Sequence, residues 1–158
     1  MQEGLTGVGF EDRFAQTYRE HGDRLWRSVL LFTCDAEVAS DAVAEAFAQA
    51  IRRGDEIENP IAWVTRAAFR IAAGELKERH GTNTLPDAGY EMPEPALELT
   101  QALSQLSPKQ RAAAVLHFRD GYTAREIADM IGSTTSAVGV HLHRARKRLR
   151  EILGDDDA

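Results

Sequence analysis

The feature that most constrains this chain is a close succession of helix-start and helix-stop signals between Ser107 and Leu149. Ser107-Pro108-Lys109-Gln110 offers a capping serine, a proline at the first helical position and a glutamine three residues on, which together make a capping box. Gly121 supplies a left-handed stop. Thr123-Ala124-Arg125-Glu126 repeats the capping box, and Ile127, Met130 and Ile131 give the following helix a short apolar face. Gly132 ends it. Thr134 then caps a final helix expected over Thr135 to Leu153. A short helix, a tight glycine turn and a second helix form the layout that places its second helix in the major groove of DNA.

The final helix has two faces. Val138, Leu142, Ala145 and Leu149 follow four-three-four spacing and are expected to face the core. The other side carries Thr135, Ser136, Gly139, His143, Arg146, Lys147 and Arg150. Hydroxyl residues at a helix N-terminus suit phosphates and base edges, because free N–H groups and the positive dipole end point there. Thr135, Ser136 and His143 are candidates for base preference, Arg144, Arg146 and Lys147 for phosphate contacts, and the cap residue Thr134 is a further DNA-binding candidate. The overall charge of −6 conceals a division: Ser107 to Arg150 carries +6, Met1 to Leu106 carries −8, and the last eight residues carry −4. The basic segment coincides with the helix-turn-helix.

The rest of the chain also reads as helical. A first helix is expected over about Glu11 to Phe32, with Phe14, Tyr18, His21, Leu25, Val29 and Phe32 on one face. A second runs from Ala36 to Arg53 after the N-cap candidate Asp35, and Gly54 ends it. A third starts at Asn59-Pro60 and reaches Arg79. The stretch Gly81 to Pro95, GTNTLPDAGYEMPEP, has no helical period and reads as a linker. Helix resumes over Ala96 to Gln105. The fold expected is all-α, with two small helical domains at 10–80 and 96–153 joined by a flexible linker at 81–95.

With 43% hydrophobic residues the chain has ample core material. The single cysteine, Cys34, cannot form an internal disulfide and reads as an inert thiol. No apolar run approaches the ~20 residues of a membrane helix, and the N-terminus has no signal-peptide pattern. A cytoplasmic protein without membrane insertion is expected. The histidines have no zinc spacing, and neither a phosphate-binding glycine loop nor a nucleophile–base pairing occurs, so no catalysis, metal or cofactor is expected. Trp26 and Trp63 read as core anchors.

The run GYTAREIADMIGSTTSAVGVHLHRARKRLREIL resembles the −35-reading region of bacterial RNA polymerase sigma factors, through Gly121, Glu126, Ile127, Ala128, Gly132, Val138, Leu142, Arg144, Ala145 and Arg146. DAVAEAFAQAIRR resembles the sigma helix that docks on the polymerase clamp, through Asp41, Val43, Glu45 and Phe47. NPIAWVTRAAFRIA resembles the −10-recognition helix, through Pro60, Ala62, Trp63, Arg66 and Ala68. Two such regions without a large middle domain resemble the extracytoplasmic-function group. The resemblance implies a non-catalytic initiation factor whose partners are promoter DNA, core RNA polymerase and an anti-sigma protein. It places core binding at Asp41, Glu45 and Phe47, and −10 DNA binding at Arg66 and Arg70. Departures stand at Gly139 and Val140 and at Phe69, Gly74 and Glu75. The segment Ala67 to His80 keeps only Arg70, Lys77 and Arg79 as bases, so a base-poor −10 grip is expected. The other reading left open is a sigma-like regulator that binds duplex DNA or a protein without initiating transcription.

Overall fold

A computed structural model describes residues 2–79 and 94–154, with side chains from 12 and from 97 onward in the two stretches. All regular structure among these residues is helical: α1 (Gln2–Thr33), α2 (Ala36–Arg53), α3 (Pro60–Arg79), α4 (Glu94–Ser104), α5 (Pro108–Ala114), α6 (Ala124–Ile131) and α7 (Thr135–Leu153). The expected linker at 81–95 lies outside the described residues except for its last two, which open α4.

The front three helices pack closely because their facing positions are small. Ala39, Ala42, Ala46 and Ala50 of α2 and Ala67, Ala68 and Ala72 of α3 are buried between larger anchors, Phe14, Val29 and Leu30 of α1 and Val64 and Phe69 of α3. Phe32 stacks on Phe69 with ring centres 5.1 Å apart. Truncating such a fully buried ring costs about 3–5 kcal/mol. Asp35 caps α2 as expected, accepting from the N–H groups of Glu37 and Val38 at 3.0 and 3.2 Å. Its other oxygen meets Arg79 at 2.9 Å, tying the end of α3 to the start of α2. In the α1–α2 turn Cys34 is left-handed, with φ of 57°, and its thiol is buried. Burial raises the thiol pKa, which suits an unreactive side chain.

In the rear, both capping boxes form. Ser107 accepts from Gln110 N–H at 3.2 Å, and Thr123 from Glu126 N–H at 3.1 Å. The helix expected to continue from Pro108 to Arg119 changes form midway: Val115–Arg119 is a single wide π turn, closed by Asp120 N–H donating to Val115 C=O at 3.2 Å. Gly121, with φ of 80°, then ends it as the sequence indicates. Gly132, at φ 66°, makes the tight turn before α7.

Front and rear touch. α1 packs on α4, α5 and the π turn, and α3 packs on α6. One apolar core runs through both halves. Arg111 is almost fully buried where they meet; it donates to the Phe32 carbonyl and, at 3.0 Å, to that of Leu106. Burial lowers its pKa. A buried charge of this kind survives only where backbone or side-chain acceptors surround it.

Candidate nucleic-acid interface

α7 is held by Val138 and Ala145, both fully buried, with Leu142 and Leu149 packed beside them. That registration turns the remaining positions outward. Thr134 caps the helix by accepting from Ala137 N–H at 3.1 Å. Thr134, Thr135, Ser136, His143, Arg144, Arg146 and Lys147 are all exposed. Thr135, Ser136, His143, Arg146 and Lys147 fall within one stripe at helical spacing, and Arg144 lies to its flank. Arg148 points elsewhere, pairing with Glu151 at 3.2 Å and with Gln105 at 3.3 Å. The Arg146 guanidinium lies 5.1 Å from the centre of the Phe118 ring. Phe118, at the π turn, is 47% exposed, so its ring orients Arg146 without removing it from solvent.

A second cationic surface forms where α2 ends beside α3. Arg52, Arg53, Arg66, Arg70, Gln49 and Trp63 line an open cleft of about 370 Å³. Arg66 and Arg70 were expected at the −10 grip. Arg52, Arg53 and Trp63 were not, because they lie on another helix or read as core. The segment Ala67 to His80 is base-poor as read, and the end of α2 adds Arg52 and Arg53 to the surface that Arg66 and Arg70 line. Trp63 is partly buried and lines the cleft instead of sitting wholly inside. Each arginine has a modest protein partner: Arg52 with Glu45 at 3.0 Å, Arg53 with Glu56 at 3.4 Å, Arg66 with Asp129 at 3.6 Å and Arg70 with Gln49 at 3.4 Å. Exposed pairs of this kind contribute ~0–1 kcal/mol and give way readily to a phosphate.

On the outer face of α2, Asp41 and Glu45 are exposed one turn apart. Phe47 is not available there. Its side chain is 7% exposed and packs edge-on against Tyr18, with ring centres 5.1 Å apart. The three-residue docking assignment is therefore corrected: Phe47 supports the face from below. Tyr18 is 57% exposed and Ile51 is 45% exposed. A core-type spacing in α1 masked Tyr18, since it continues the row that buries Phe14 and Leu25.

The family described as sigma-70, region 4, matches residues 96–149. The ECF RNA polymerase sigma factor SigM of Mycobacterium tuberculosis is 31% identical over 156 residues, spanning 90% of this chain and 79% of that protein. The chain belongs to the ECF RNA polymerase sigma factors. It is thus a transcription initiation factor that directs RNA polymerase to promoters. The sigma factor CarQ of Myxococcus xanthus is 27% identical over 161 residues, spanning 93% of this chain and 92% of its own length. The sigma factor RpoE of Bartonella quintana, solved with the anti-sigma factor NepR, has the same fold. Its TM-score is 0.75 at 22% identity, covering 91% of this sigma factor and 98% of that chain. Among the described residues no helix is long and apolar enough to cross a membrane.

Proposed function

We propose that the two cationic surfaces divide promoter recognition between them. The α7 stripe reads the −35 element as duplex, with Thr134, Thr135, Ser136 and His143 toward the bases and Arg144, Arg146 and Lys147 on phosphates. The α2–α3 cleft grips the −10 strand through Arg52, Arg53, Arg66 and Arg70, with Trp63 as an aromatic surface for an unstacked base. Asp41 and Glu45 dock on core polymerase, and Tyr18 and Ile51 flank them with apolar surface. Residues 10–80 and 96–153 act as separate modules in the initiating complex, joined through 81–95, and the protein acts in the cytoplasm without catalysis of its own.

The convergence of four arginines around Trp63 carries this reading. It favours an initiating sigma factor over a regulator that only binds duplex, which has no use for a second, aromatic-containing grip. An apolar cleft of about 290 Å³ between Phe69, Ala73, Pro108, Met130 and Ile131 offers a seat to an anti-sigma protein, the kind of partner with which RpoE of B. quintana was solved. The test is capture from native cell extract combined with strand-specific footprinting. The protein should retain core polymerase and an anti-sigma protein. With polymerase it should protect a −35 duplex and leave −10 thymines reactive as single strand. Protection of the −35 duplex alone, with no −10 opening, would support the regulator instead.

A further inference from the structure

Two residues on the outward face of α7, Gly139 and Val140, bring neither a hydrogen-bonding side chain nor a charge to it. Val140 is 46% exposed and stands, by helical spacing, opposite the buried Val138 and Ala145. It therefore occupies the middle of the outward face. Ser136 lies one turn before it, and His143, Arg144 and Lys147 lie in the two turns after it, all of them exposed. Between Thr135 and Glu151 it is the only aliphatic side chain among the exposed residues. Single exposed aliphatics are common on protein surfaces. Place and neighbour set this one apart.

The neighbour is a glycine that the fold does not require. Gly139 has ordinary helical backbone with no positive φ. Nothing lies within 4 Å of where a β-carbon would stand. On a solvated helical surface both residues are poor choices. Glycine gives up helix stability relative to alanine, and β-branched valine loses side-chain freedom.

The chemistry that such a pair can recognise is narrow. Phosphates and the polar edges of bases need a donor or an acceptor, and neither side chain has one. The major groove presents one apolar group, the C5-methyl of thymine. A valine side chain is short, so it meets a base edge only where the helix backbone lies close to the groove floor. A glycine beside it removes the side chain that would hold the helix away.

We propose, on the reading that α7 enters the −35 groove, that Val140 selects a thymine there through its C5-methyl group, and that Gly139 allows the close seating this contact needs. The test uses holoenzyme assembled from core polymerase and the full-length protein. Sequences are first selected from promoter duplexes randomised over the −35 element. Each thymine of the selected sequence is then replaced by deoxyuridine, which lacks only the methyl group, and equilibrium binding is measured by competition. At one position at least, the replacement should weaken binding about three- to fivefold, as expected for one buried methyl group. Val140→Ser removes both γ-methyls at similar helix propensity, so the melting temperature should stay unchanged while the thymine-to-uracil ratio at that position falls to about one. Gly139→Ala should raise the melting temperature by about 2–4 °C and yet weaken binding to the thymine duplex. A Val140→Ser variant that keeps the full ratio, or a Gly139→Ala variant that binds the thymine duplex as tightly as wild type, would overturn the inference. Enrichment of a −35 sequence with no uracil-sensitive position would overturn the methyl contact alone. Enrichment of no −35 sequence at all would overturn the assignment of α7 to that element, and the methyl contact with it.

Discussion

The stripe on α7 and the cleft between α2 and α3 are both cationic, yet they are built differently. The stripe lies on one continuous helix, and two buried side chains, Val138 and Ala145, are enough to aim every residue of it. The cleft is assembled from two helices that meet only in the folded protein, and each of its arginines has a protein partner. A surface confined to one helix serves duplex, whose groove is itself a continuous shape. A cleft of separate arginines around an aromatic suits a flexible strand that must be held at several points. The difference predicts that the two can be damaged separately.

The largest effect should come from the cleft. Arg66→Ala with Arg70→Ala removes two of the proposed phosphate contacts and should lower run-off transcription on the order of 10–100-fold, with −35 duplex binding unchanged. Equal loss in both assays would mean that the two surfaces do not act separately. Next, neutralising Asp41 and Glu45 (Asp41→Asn with Glu45→Gln) should weaken core polymerase binding by roughly tenfold with the helical signal intact, as measured by competition against the wild-type protein. Because Glu45 also pairs with Arg52, the same variant should leave −10 strand contacts no weaker. Unchanged polymerase affinity would remove the docking role from this face.

Arg146→Ala should weaken all duplexes by a similar factor of several-fold and lower the salt slope by about one unit. Phe118→Ala should have a smaller effect of the same kind, since the ring only orients Arg146. A sequence-dependent loss in the Arg146 variant would transfer it from phosphates to bases. The smallest effect belongs to Ser136→Ala, which should shift discrimination between −35 sites by ~1 kcal/mol or less, because one hydroxyl makes one modest contact.

The same contrast explains what could be read from the sequence. The α7 stripe, its Thr134 cap, both capping boxes and the Gly121 and Gly132 turns are local features, and each stands where periodicity and capping place it. So does the Asp35 cap of α2. The π turn at Val115–Arg119 was not legible, because its apolar pattern is that of an ordinary helix. Nor was Arg111, an arginine whose burial depends on the Phe32 carbonyl of a distant helix. Arg52 and Arg53 form the basic last turn of α2, where cations are favourable at any helix C-terminus, so nothing local marks their convergence with α3. Phe47 and Tyr18 exchanged expected roles for the same reason. Spacing along one helix cannot tell which of two facing aromatics covers the other.

The most direct test of the central claim is multi-round run-off transcription from genomic promoter fragments, using core polymerase with and without the purified protein. Transcripts that appear only with the protein, start at one position and are lost in the Arg66→Ala, Arg70→Ala variant are the predicted result. Stable binding of core polymerase and of promoter duplex without any specific transcript would contradict it.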